Sequence, residues 1–264
     1  MQAGNLVEAM DMRETIQREL EAVERARDVR VLLSVESGSR SWGMASEDSD
    51  YDVRFVYVRP QRDYLRLEKV RDTIEWRLDE VLDVTGWDLA KFLRLARGSN
   101  PTVFEWLATS IVYAESPSFA RVREVAGSCF SPKASAFHYL GMERGHDRAY
   151  LKSETVGAKK YLYMVRALLA ARWCLDERTP APMLLSDLMD AKLPTSMVPL
   201  VEDLLAVKLA GKERQQVAHM PELETWILQE DEALYARAHA EEAPRKVAWE
   251  VLDEVFLEIL GAGE

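Results

Sequence analysis

The sequence predicts an α/β (α+β) fold, with a mixed sheet in the first half of the chain and helices in the second. Three observations lead there. Apolar or alternating runs with the length and composition of strands recur at 31–35, 51–58 and 73–86. Beyond about residue 117 such runs fade and apolar residues recur at helical spacing. The 264 residues, 48% of them hydrophobic, are enough to bury a core in one large domain or two small ones. The expected division is a strand-bearing unit at 1–115 and a helical unit at 116–264.

Residues 10–28 read as an amphipathic helix, with Ile16, Leu20 and Val23 spaced among charges. The run 31–35 is a buried strand that stops at the turn-prone Ser37-Gly38-Ser39. A polar loop at 46–49 leads into a strand at 51–58. There Val53, Phe55 and Tyr57 share one face, and Asp50, Asp52 and Arg54 share the other. Residues 73–86 make one or two strands, turning near Asp79-Glu80. A helix at 88–96 is closed by Gly98 and Asn100-Pro101. Helices are then expected at 135–152, 156–175, 183–190, 197–210, 220–239 and 244–260, with Pro180 and Pro182 as breakers.

The formal net charge is −11 and the pI about 5.1, so bulk electrostatics do not hold this chain to nucleic acid; a local basic groove is left open. No apolar run reaches membrane-spanning length, and the N-terminus has no signal-peptide pattern. The expected compartment is the cytoplasm, with no membrane partner. Cys129 and Cys174 form no CxxC pattern, and the four histidines show no zinc-ligand spacing.

The chemistry concentrates in residues 37–58. Asp50 and Asp52 are two apart on a strand, so their carboxylates point the same way and repel unless a cation lies between them. Mg²⁺ or Mn²⁺ favours such hard oxygen ligands and keeps positions open for phosphate and water. With a third carboxylate, two ions can sit about 3.5–4 Å apart. Gly38-Ser39, about ten residues upstream, forms a turn whose amides and hydroxyl can hold phosphates beside the metal.

Gly38-Ser39, Gly43 and Ser49-Asp50-x-Asp52 together resemble the GSxxxG…SDxD signature of the DNA polymerase β nucleotidyltransferase superfamily. Longer blocks between about residues 30 and 210 occur in order: SGSRSWG, SDYDVRFVYVRP, KFLRLARGSNPTVFEWL and KKYLYMVRALLAARW. They resemble a predicted nucleotidyltransferase family associated with RNA ligases and RNA repair. The resemblance implies a catalytic domain at 1–115 and a helical unit that completes the nucleotide cleft. It implies metal-dependent transfer of a nucleoside monophosphate from a nucleoside triphosphate to an acceptor hydroxyl, with release of pyrophosphate. The acceptor is left open between an RNA end, a small molecule and a protein side chain, and the oligomeric state is open too. A third carboxylate from a later strand is also implied. Asp83, flanked by apolar residues, is favoured over Asp88, which suits a helix cap. By the same resemblance Lys159 and Tyr163 are nucleotide contacts, with Lys160 as an alternative.

Arg40 in the turn and Arg54 on the carboxylate face can each offset triphosphate charge; Arg54 is equally read as an ion pair that organises the aspartates. Lys159, Tyr163 and Arg166 share one helical stripe, where Arg166 is expected on a solvated face. Arg144, Arg148 and Lys152 make a second basic stripe. Lys91 is read as a surface lysine, and Trp42 as packing the turn or covering a base. Two other readings stand beside catalysis. One is a non-catalytic nucleotide- or RNA-binding module, expected to have lost one of the paired carboxylates. The other is a toxin–antitoxin nucleotidyltransferase acting on a partner protein or tRNA.

Overall fold

The computed structural model describes residues 3–145, 155–210, 215–242 and 245–261. Helix α1 (Ala3–Arg27) leads to β1 (Arg30–Glu36), the single helical turn α2 (Gly38–Ser41) and β2 (Tyr51–Val58). The turn α3 (Gln61–Tyr64) precedes the hairpin β3 (Thr73–Leu78) and β4 (Leu82–Asp88), which bends at Asp79-Glu80 as expected. Next come α4 (Leu89–Arg97), α5 (Pro101–Ala108), β5 (Val112–Glu115) and α6 (Phe119–Ser128). The remaining elements are α7 (Pro132–Gly145), β6 (Val156–Gly157), α8 (Ala158–Glu177), α9 (Leu185–Lys192), α10 (Val198–Ala210), β7 (Gln216–Val217), α11 (Pro221–Ala240) and α12 (Trp249–Gly261).

The mixed sheet has the order β3-β4-β2-β1-β5. Every neighbouring pair is antiparallel except β2 and β4, which are parallel. The alternation along β2 sorts its two faces. Val53, Phe55 and Tyr57 are buried with Ile16, Leu20 and Val23 of α1. On the other face Val56 and Val58 are buried against Phe92 of α4, Phe119 of α6 and Leu252 of α12. Asp52 and Arg54 lie on that second face, nearer the start of the strand, where they stay partly open. Helices α7 to α11 form a separate core around α8, joined by Met44 from the loop after α2. Helices α6 and α12 thus pack on the sheet although they follow residue 116. Among the described residues no helix is long and apolar enough to cross a membrane.

Several elements went unread in the sequence. Asn100-Pro101 closes one helix but also opens α5: Asn100 accepts the Thr102 amide at 3.0 Å, and Pro101 takes the first-turn position that needs no amide. β5 has four residues, and β6 and β7 two each, too short for a periodic signal. The last part of the helix expected at 135–152 lies outside the described residues.

Gly86 in β4 allows the closest approach in the sheet. A Cβ there would lie 2.2 Å from Cε2 of the buried Phe55 ring across the β2–β4 pair. Gly86→Ala is expected to destabilise the protein by about 1–3 kcal/mol through overpacking. Urea unfolding checks this; an unchanged midpoint would mean that the ring moves aside at no cost.

Candidate active site

The parallel register of β2 and β4 sets Asp52 opposite Asp83, so the two carboxylates leave the same sheet face side by side. Arg54 stands between them. Its Nη2 donates to Asp52 Oδ1 at 2.7 Å and to Asp83 Oδ2 at 2.8 Å, and its Nη1 donates to the Asp83 carbonyl at 3.1 Å. Thr85 holds the other Asp83 oxygen, donating to Oδ1 at 3.1 Å. Of the two readings of Arg54, the ion pair that organises the aspartates is the one present here. Asp50 lies just before β2. Burial raises the Asp52 pKa; the charges of Asp50 and Asp83 add to this, while Arg54 and Lys159 oppose it. Asp88 is elsewhere, buried at the far end of β4. It caps α4 by accepting the Ala90 amide at 2.8 Å and also accepts the Tyr64 hydroxyl at 2.8 Å.

Gly38 meets two demands at once. Its φ is +60°, and a Cβ would sit 2.1 Å from Asp52 Oδ2. The Ser37 amide donates to the Asp52 carbonyl at 2.9 Å, tying the turn to the strand. Arg40 braces the same loop from inside. Its Nε and Nη2 donate to the carbonyls of Asp50 and Ser49 at 3.0 and 2.6 Å, and its guanidinium lies 3.6 Å from the Tyr51 ring centroid.

The helical unit closes on the turn. Ser39 Oγ and the Tyr163 hydroxyl are 3.2 Å apart, and Lys159 Nζ lies 5.5 Å from the Tyr163 ring centroid. Burial raises the Tyr163 pKa, against the hydrogen bond with Ser39 and the charge of Lys159. Trp42 packs the turn, edge-on to Tyr163 with centroids 5.1 Å apart. Behind it Arg166 is buried, 3% exposed, with its guanidinium 4.1 Å from the Trp42 ring centroid and Nη1 donating to Glu105 at 2.8 Å. The expected solvated face for Arg166 is therefore corrected. Helix α8 is packed by α7, α9, α10 and α11, which buries Arg166, while Lys159 and Tyr163 of the same stripe stay half-buried. Lys91 donates to Thr73 at 2.7 Å toward the far end of β4. The stripe of Arg144, Arg148 and Lys152 lies outside the residues whose side chains are described.

Sequence reasoning missed Glu36. It is buried behind Asp52, accepts the Asp52 amide at 2.8 Å and accepts the Tyr113 hydroxyl. Its pKa is raised to about 7, mainly by burial. A carboxylate at the end of a buried strand, Leu-Leu-Ser-Val-Glu, was the available signal.

The oxygen donors of Asp50, Asp52 and Asp83 suit a hard divalent cation in kind. Among the described residues, however, no three Asp, Glu, His or Cys side chains stand together as a formed metal site. Arg54 supplies the positive charge between Asp52 and Asp83.

A model of the RNA repair pathway DNA polymerase beta family (RlaP) matches residues 12–258, sheet and helical unit together. The chain belongs to this family. It is also similar to the uncharacterized protein YcgL of Bacillus subtilis (strain 168), with 37% identity over 248 residues, 93% of this chain and 95% of that protein. Family membership supports nucleotidyl transfer as the general kind of chemistry.

The fold keeps Glu36 protonated up to about pH 7, whereas an ordinary glutamate ionises near 4.5. The native state therefore binds more protons than the unfolded chain between these values, and stability falls as pH rises through that window. Glu36→Gln is expected to lack this fall. Urea unfolding of both proteins at several pH values, with chelator present, checks it; parallel curves would count against a protonated Glu36.

Proposed function

We propose that this protein is a metal-dependent nucleotidyltransferase that moves a nucleoside monophosphate from a nucleoside triphosphate to an acceptor hydroxyl. The observation that carries the reading is the pairing of Asp52 with Asp83 on one open face, with the Gly38 turn pressed against Asp52. The acceptor oxygen attacks the α-phosphorus, the bond from that phosphorus to the β-bridging oxygen breaks, and pyrophosphate leaves with the electron pair. Asp50, Asp52 and Asp83 would hold Mg²⁺ or Mn²⁺, which supplies charge neutralisation at the triphosphate and acidifies the acceptor hydroxyl. Asp83 sits beside Asp52 and takes the acceptor proton. Ser39 and the amides of the Gly38 turn hold the β- and γ-phosphates, and Lys159 and Tyr163 bring the helical unit onto the nucleotide. With a cation held by the carboxylates, Arg54 would be free to turn its charge to the triphosphate. Catalysis is then mostly positioning and electrostatics. The family description supports an RNA end as acceptor.

One observation favours a non-catalytic nucleotide-binding module instead: Arg54 already balances two of the carboxylates. A label-transfer assay separates the two readings. The protein is incubated with each α-labelled nucleoside triphosphate, Mg²⁺ or Mn²⁺, and RNA. Transfer to RNA that falls by at least about 100-fold in Asp50→Asn/Asp52→Asn supports catalysis. No transfer, with equal triphosphate binding by both proteins, supports the binding module.

A further inference from the structure

At the end of the sheet away from the carboxylates, three cations converge that the proposed reaction does not use. Lys69, Arg71 and Arg94 line a cavity of about 250 Å³, together with Arg59 and Tyr64. Most acids around it are engaged. Asp63 pairs with Arg66 at 3.4 Å and Asp72 with Lys91 at 3.7 Å. Asp88 caps α4, accepts from Tyr64 and lies 4.0 Å from Arg59. Glu68 is the remaining carboxylate of the lining. Among the described residues, no side-chain hydrogen bond or ion pair engages Lys69, Arg71 or Arg94. Arg59 is already engaged: its buried Nε faces Asp88 Oδ2 at 4.0 Å and its Nη2 donates to the Arg71 carbonyl at 3.3 Å.

Cations that outnumber the carboxylates of the same lining, three of them in no hydrogen bond or close ion pair, favour an anion in a chain of net charge −11. Guanidinium and ammonium groups donate several hydrogen bonds each, which favours an anion that accepts them and points to phosphate. Distance decides what carries it. Asp52 is the second residue of β2 and Arg59 follows its last, so seven residue steps of about 3.3 Å separate them by roughly 23 Å. A triphosphate in the catalytic turn does not reach that far, but a polynucleotide does. Between the two ends, Asp83, Thr85 and Trp87 form the half-open stripe of β4, and Lys91 Nζ lies 5.3 Å from the Trp87 ring centroid.

We infer that Lys69, Arg71 and Arg94 bind the phosphodiester backbone of a polynucleotide acceptor whose reacting end lies at Asp52 and Asp83. This deepens the nucleotidyltransferase reading and rests on it for the reacting end alone. The test is binding, measured by fluorescence anisotropy with a long oligoribonucleotide and with a dinucleotide, and by titration with ATP and inorganic phosphate. Lys69→Ala/Arg71→Ala/Arg94→Ala changes exposed side chains and is expected to fold normally. Its affinity for the long oligonucleotide should fall at least about 10-fold, and the slope of log affinity against log salt should shrink by about 2, for three lost single-strand contacts. Dinucleotide and ATP affinities should stay unchanged. Equal oligonucleotide affinity and salt slope in both proteins would overturn the inference. So would a loss confined to ATP or inorganic phosphate, which would make the cavity a small-anion site. The Asp50→Asn/Asp52→Asn protein should retain the oligonucleotide affinity. The binding result therefore stands or falls separately from label transfer.

Discussion

Two carboxylates on neighbouring strands of one sheet face repel each other, and much of this molecule is arranged around that repulsion. The parallel register puts Asp52 beside Asp83, and a single guanidinium nitrogen of Arg54 bonds to both. Burial makes the arrangement more costly, which is why the Asp52 pKa is raised despite Arg54 and Lys159. Such a cluster is stable only with positive charge supplied to it. Arg54 supplies it here, and a metal ion or a substrate-bound cation would supply more.

The surroundings hold Asp52 by its backbone as well as its side chain. Glu36 accepts its amide, Ser37 donates to its carbonyl, and Gly38 leaves room for Oδ2. The turn that does this is in turn fixed to the helical unit. The Trp42 carbonyl accepts the Leu185 amide at 3.0 Å, and the Met44 carbonyl accepts the buried Lys208 ammonium at 2.6 Å. Ser39 meets Tyr163, Tyr163 meets Trp42, and Trp42 rests on the buried pair Arg166–Glu105, where Tyr139 donates to Glu105 at 3.1 Å. Removing one partner from a buried pair of this kind strands a charge, which costs about 3–5 kcal/mol. The Gly38 turn therefore moves only if the helical core moves with it.

Charge is distributed unevenly. The chain as a whole is acidic, yet cations are concentrated at two places along the sheet: beside the carboxylates, through Arg54 and Lys159, and at the far end, around Arg59. A net charge describes solubility and says little about a particular surface.

Periodicity and local chemistry within the sequence determined the sheet-then-helix order, the β2 faces, the β3–β4 turn, the Asp88 cap and the pairing of Gly38-Ser39 with Asp50 and Asp52. Each depends on residues close together along the chain, whose spacing maps directly onto a face or a turn. The tertiary structure alone decided the rest. Asp83 meets Asp52 through a parallel register, which the spacing of the strands along the chain does not encode. Arg166 is buried because four helices surround α8, and Glu105 becomes its partner across 61 positions of sequence. Glu36 was hidden because a single buried glutamate has no pattern until Tyr113 and the Asp52 amide are brought to it. Partners far apart in sequence leave no periodic trace, because what joins them is the packing of whole elements.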